Sequence, residues 1–132
     1  MMFGSIRNVN PLKSATNCVH CAIATDLTLS GRPTSALPSA AKPLVVLENH
    51  YGRTFRQVSG RDQIENIMSN AGHGARGIVA VYKGGNQTGH VFNVTNQNGT
   101  VRLLDGQIGT VASLEGYIYF AFMRTNGHLE KV

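Results

Sequence analysis

Cysteine is scarce in this chain: two residues, Cys18 and Cys21, among 132. A pair three positions apart closes no long loop, which excludes a disulfide framework of the secreted type and makes a reducing compartment the expectation. Long apolar runs are missing too. Nothing approaches the ~20 residues that a membrane helix requires, and Met1 to Arg7 holds no secretory h-region, so a soluble domain is expected. There is no internal repeat and no low-complexity tract. Charged residues make up only 14% against 42% hydrophobic, a globular balance far from that of disordered chains. The eight Arg and four Lys give a net charge of +5, yet they are scattered singly with no basic run. That scatter gives little support to nucleic acid as a partner and fits an acidic protein better.

What is present reads as one domain over residues 1–132, a length that can bury a core unaided. Ser5 to Lys13 reads as a polar, extended lead-in, and residues 1–16 suggest a domain excised from a larger protein. The first strong element follows Thr16-Asn17, a helix-cap signal: Cys18 to Leu29 runs without Gly or Pro and predicts a helix that is apolar over most of its surface and central to the fold. Gly31-Arg32-Pro33 ends it, and three prolines make the segment to Pro43 loop or extended chain. Leu44 to Val58 is ambiguous between strand and helix. Ser59-Gly60-Arg61-Asp62 then caps a second helix with Ile64, Ile67 and Met68 on one buried face, stopped at 70–74. Strands are predicted at 77–83, 90–96, 101–104 and 117–124, and Gln97-Asn98-Gly99 is a hairpin signal. Helices first and an antiparallel sheet after them give an α+β domain.

A thiol becomes a nucleophile when its thiolate is stabilised, and the first turn of a helix does so with free amides and a positive dipole end. Cys18 stands at such a place. His90, opening a strand after the Gly84 to Gly89 loop, can supply the base. The strand after Asn98-Gly99 runs back beside it and delivers Asp105, which can accept from the imidazole N–H. For an oxyanion the candidates are the Cys18 N–H and Asn17, and Gln107 can line the site. Each residue alone has a plainer reading: a small buried hydrophobe, a structural His, a turn Asp. Cys18-Val19-His20-Cys21 also has the spacing of a thioredoxin-like redox site, but no good strand precedes it. A zinc site would need a second CxxC or HxxxH, so no metal and no cofactor are expected. Cys21 is expected to pack one turn below Cys18. His20, His50, His73 and His128 carry no partner signal.

The ordered set Asn10-Pro11, Asn17 to Asp26, Leu29 to Pro33, Gly89-His90-Val91-Phe92-Asn93-Val94 and Leu104-Asp105-Gly106-Gln107 resembles the papain-fold toxin family of glutamine deamidases. These are C-terminal toxic domains of bacterial polymorphic toxins, carried on Rhs-type, contact-dependent or type VI secretion effectors. The resemblance implies a papain-like fold in which the Cys helix packs on an antiparallel sheet, with Cys18 as nucleophile, His90 as base and Asp105 as third member. It also implies delivery by a secretion system as part of a larger protein, action on a target protein in the target-cell cytoplasm, and a cognate immunity protein. A cysteine protease or a transglutaminase-like acyl transferase could use the same three residues. A non-catalytic binding domain would need none of them.

Overall fold

The computed structural model describes residues 5–84 and 89–127. Three helices, α1 (Cys18–Leu29), α2 (Val45–Tyr51) and α3 (Arg61–Ala71), accompany six strands: β1 (Arg56–Val58), β2 (Arg76–Tyr82), β3 (His90–Gln97), β4 (Thr100–Asp105), β5 (Thr110–Val111) and β6 (Tyr119–Arg124). The strands form one antiparallel sheet in the order β1-β6-β2-β3-β4-β5. The expected α+β architecture is what the chain adopts.

Both faces of the sheet are covered, which explains why β2 reads as a continuous apolar run instead of alternating. Ile78 and Ala80 pack with Val91 and Met123 against Val19 and Ala22 of α1 and Leu47 of α2. Val79 and Val81 pack on the opposite face with Phe92, Val94 and Phe122 against Ile64 and Met68 of α3. Burying each of these large side chains contributes about 1.5–3 kcal/mol before chain entropy is counted. The predicted hairpin joins β3 to β4: Asn98 and Gly99 both take positive φ, 56° and 90°, as a type I′ turn requires.

Helix α1 is the central element that its apolar circumference predicts. Of its buried polar side chains, Asp26 and Thr28 find partners, while Thr25 Oγ1 has none among the described residues. Asp26, 4% exposed, accepts from Arg76 Nε at 3.0 Å, Thr125 Oγ1 at 2.6 Å and Tyr51 Oη at 3.0 Å, tying α1 to β2, to the end of β6 and to α2. Asn93 Nδ2 of β3 donates to Ala22 O at 2.9 Å, which fixes α1 against the strand that begins with His90.

The lead-in is not extended. Ile6–Asn8 form a short 3-10 helix, started by Ser5 Oγ accepting from Arg7 N–H, and Val9, 1% exposed, is a core residue. The ambiguous stretch at 44–58 divides into α2 and β1. Neither β1 nor β5 was foreseen, because two or three residues carry no periodic signal. The last strand starts at Tyr119, two residues later than expected. His128 and positions 85–88 of the Gly84 to Gly89 loop lie outside the described residues. Among the described residues, no helix is long and apolar enough to cross a membrane.

Candidate active site

Three elements end at one place. Helix α1 begins with Cys18, β3 begins with His90, and β4 finishes with Asp105. Because Asn93 stands opposite Leu104 in the β3–β4 ladder, His90 and Asp105 fall at the same end of the hairpin. There His90 Nε2 meets Asp105 Oδ2 at 2.7 Å, a charge-assisted distance. Asp105 is 6% exposed, and its other oxygen accepts the Gln107 N–H at 3.0 Å, so the carboxylate is held at both ends. The Cys18 thiol lies within the influence of the His90 imidazole and the Val91 backbone amide, both of which favour its ionised form. With Nε2 engaged by the carboxylate, Nδ1 is the ring nitrogen left for sulfur.

The electrostatics favour charge separation. Burial opposes the Cys18 thiolate, but the hydrogen bond from His90, the Val91 amide and the imidazolium charge outweigh it, and the thiol sits below its ordinary value. Burial likewise opposes the His90 cation, yet the bonds to Asp105 and Cys18 push the imidazole up to about 9. Each group thus favours the charged form of the other, and the thiolate-imidazolium pair is easier to reach than either charge alone. Cys21, 2% exposed, goes the other way: burial, with the Asp105 and Cys18 charges behind it, pushes its thiol up to about 12.

Cys18 and His90 open onto a cleft of about 160 Å³, walled by Pro43, Leu44 and Tyr82 with Lys42 at its rim. The Tyr82 ring packs so closely on Gly89 that a Cβ there would collide with it, which brings β3 into the cleft wall. A larger groove of about 450 Å³ lies by Arg7 and Arg102, and neither Cys18 nor His90 lines it.

The family model described as papain fold toxin 1, glutamine deamidase, matches residues 16–110. The chain belongs to that family. No curated protein and no solved structure gives a match. The matched span runs from just before the Cys18 helix to β5 and includes Cys18, His90 and Asp105, so the helix resting on the antiparallel sheet is the papain fold of these toxins. Membership makes the chain a toxin of glutamine-deamidase type, a hydrolase acting on glutamine.

Within this papain-fold toxin, two sequence expectations need correction. Asn17 is not available as an oxyanion donor and does not cap α1 with its side chain. It is 0% exposed, and Nδ2 donates to Asn10 Oδ1 at 3.0 Å and Leu37 O at 3.1 Å. Gln107 turns its side chain to Asn17 Oδ1, at 3.4 Å, and serves Asp105 through its backbone N–H. Among the described residues, those before Cys18 form turns and a 3-10 helix with no strand, unlike the setting expected of a redox CxxC. His73, given no role, accepts the Asn98 N–H through Nδ1 at 2.8 Å beside the hairpin turn. Sequence reading overlooked Tyr82, the Val91 amide and Gly106. The Asp-Gly step is more than a turn, because a Cβ on Gly106 would overlap Thr25 Oγ1 of α1. Only glycine lets the turn after Asp105 press this close to the cysteine helix.

Proposed function

We propose that this toxin is a cysteine-dependent protein-glutamine deamidase. The Cys18 thiolate attacks the side-chain carboxamide carbon of a glutamine, and the negative oxygen that forms is met by backbone amides, the Cys18 N–H first among them. The His90 imidazolium gives its proton to the departing nitrogen, releasing ammonia and leaving a thioester on Cys18. Neutral His90 then takes a proton from water, whose oxygen attacks the thioester, and returns it to sulfur as glutamate departs. Asp105 holds the imidazole in the tautomer and orientation these transfers need. The 2.7 Å contact between His90 and Asp105, on an imidazole that lines one cleft with Cys18 and favours its thiolate, is the observation that carries the reading.

The net result is a new carboxylate on a target protein. On the same reading the domain is delivered as part of a larger secreted protein and acts in the target-cell cytoplasm. A cognate immunity protein of acidic surface would complement its net charge of +5. The test is to express the wild type and Cys18→Ala in cells and compare whole-proteome masses. A gain of about one dalton at glutamines, lost with Cys18→Ala, is expected from the chemistry of amide hydrolysis. Cleaved fragments would replace deamidation by proteolysis, adducts would replace it by acyl transfer, and toxicity persisting in Cys18→Ala would replace catalysis by binding.

A further inference from the structure

The asparagine before the nucleophile is spent in an unexpected way. Asn is among the best helix N-cap residues, since its side-chain oxygen can accept a free first-turn N–H. Asn17 occupies the cap of α1 and makes no such bond. Its amide is directed instead at two distant stretches of chain, and every polar atom of it is engaged. Nδ2 donates to Asn10 Oδ1 and Leu37 O, while Oδ1 accepts Gln107 Nε2 from 90 positions away.

Asn10, 6% exposed, repeats the pattern. Its Nδ2 donates to Ser14 O at 2.8 Å and to Gln107 O at 3.0 Å, 97 positions on, while Oδ1 accepts Ser14 N–H and the Asn17 amide. Gln107 is thus gripped by its main-chain carbonyl and by its side chain, and its N–H carries Asp105 Oδ1. A second bond inside the turn, Gly109 N–H to Asp105 O at 2.8 Å, closes it. The path from the turn that bears the carboxylate to the residue preceding the nucleophile is therefore two amide side chains long. Buried amide networks of this kind are rigid when fully satisfied and costly when broken.

We propose that Asn10 and Asn17 are positioning residues of the deamidation reaction: they clamp the Asp105–Gln107 turn to the first turn of α1, so that carboxylate, imidazole and thiol hold one register. The clamp rests on the reading of Cys18, His90 and Asp105 as the catalytic set. It acts through Asp105 and touches no reacting atom. The alternative, a purely structural tie for the N-terminal segment, would leave the ionisation of His90 alone.

That difference is measurable without a substrate. The titratable or charged groups that face His90 are Cys18 of α1, Asp105 of β4, and Tyr82 of β2 and Lys42 across the cleft. Of these Asp105 supplies the leading upward influence on the imidazole. The experiment is an NMR titration of the His90 ring protons, assigned by their loss in His90→Ala, in the wild type, Asn10→Ala, Gln107→Ala, Asp105→Ala and Asn10→Ala/Asp105→Ala. Gln107→Ala removes one bond from a half-buried side chain and guards against a failure of Asn10→Ala to fold. A loosened clamp should lower the His90 midpoint by on the order of one pH unit in Asn10→Ala, less in Gln107→Ala, with no further drop when Asn10→Ala is added to Asp105→Ala. An unchanged midpoint in folded Asn10→Ala and Gln107→Ala would overturn the clamp. So would equal drops with and without Asp105. An Asp105→Ala titration identical to wild type would instead bring down the catalytic reading beneath it.

Discussion

The two cysteines offer the sharpest comparison, because one helix turn separates a thiol that burial raises from one that its neighbours lower. At pH 7 a thiol at about 12, as for Cys21, is thiolate in about one molecule in 100,000. Cys18 starts from 9.0 and lies below it, so more than about one molecule in 100 is thiolate. The ratio exceeds about 1,000. Intrinsic nucleophilicity works against it: with a Brønsted coefficient of roughly 0.4–0.5, three or more pKa units return roughly 15–30-fold to Cys21. Cys18 should therefore be alkylated at least roughly 30-fold faster by iodoacetamide in the native protein. The 2% exposure of Cys21 widens the gap. Trypsin cutting after Lys13 and Arg53, with Arg32-Pro33 and Lys42-Pro43 resisting it, releases both cysteines in one peptide, so fragmentation after a timed pulse assigns each modification. His90→Ala removes the leading opposition to burial and should slow Cys18 by about tenfold or more. Comparable rates at the two cysteines, or a Cys18 rate indifferent to His90, would refute the ion-pair picture.

Two further outcomes follow from other parts of the fold. Asp26→Ala leaves the partly buried Arg76 guanidinium and the Thr125 and Tyr51 hydroxyls without their shared carboxylate, and should cost about 3–5 kcal/mol in urea unfolding; a loss below about 1 kcal/mol would show the network to be ornamental. The pH dependence of stability can be isolated in Cys18→Ala, where Asp105 alone raises the imidazole. A folded value above 6.5 means that the His90 contribution is fully present below pH 6.5 and is lost as pH rises toward the wild-type value of about 9. The unfolding free energy should fall over that interval by less than about 3 kcal/mol, and adding Asp105→Ala should flatten the fall.

The legible parts of this molecule were those written in local pattern. The α1 helix shows as an uninterrupted run from Cys18 to Leu29, the α3 face as Ile64 and Met68 at helical spacing, and the β3–β4 hairpin as Asn98-Gly99, whose positive φ angles leave few other residue choices. The ordered motifs around Cys18, His90 and Asp105 were enough to name a family. Short strands such as β5 escaped notice because they are held by pairing with β4 and have no periodicity of their own.

Sequence alone determined which chemical groups were available and on which elements they stand, since a helix start, a strand start and a strand end are local properties. Only the tertiary structure decided what the polar residues beside them do. Asn17 looks like a cap or an oxyanion donor until packing places Asn10, Leu37 and Gln107 around it. The Asp26 carboxylate likewise gains Arg76 and Thr125 from 50 and 99 positions away. A buried hydrogen-bonding group takes whatever partners the fold brings within about 3 Å, and that choice is made by the packing of distant segments.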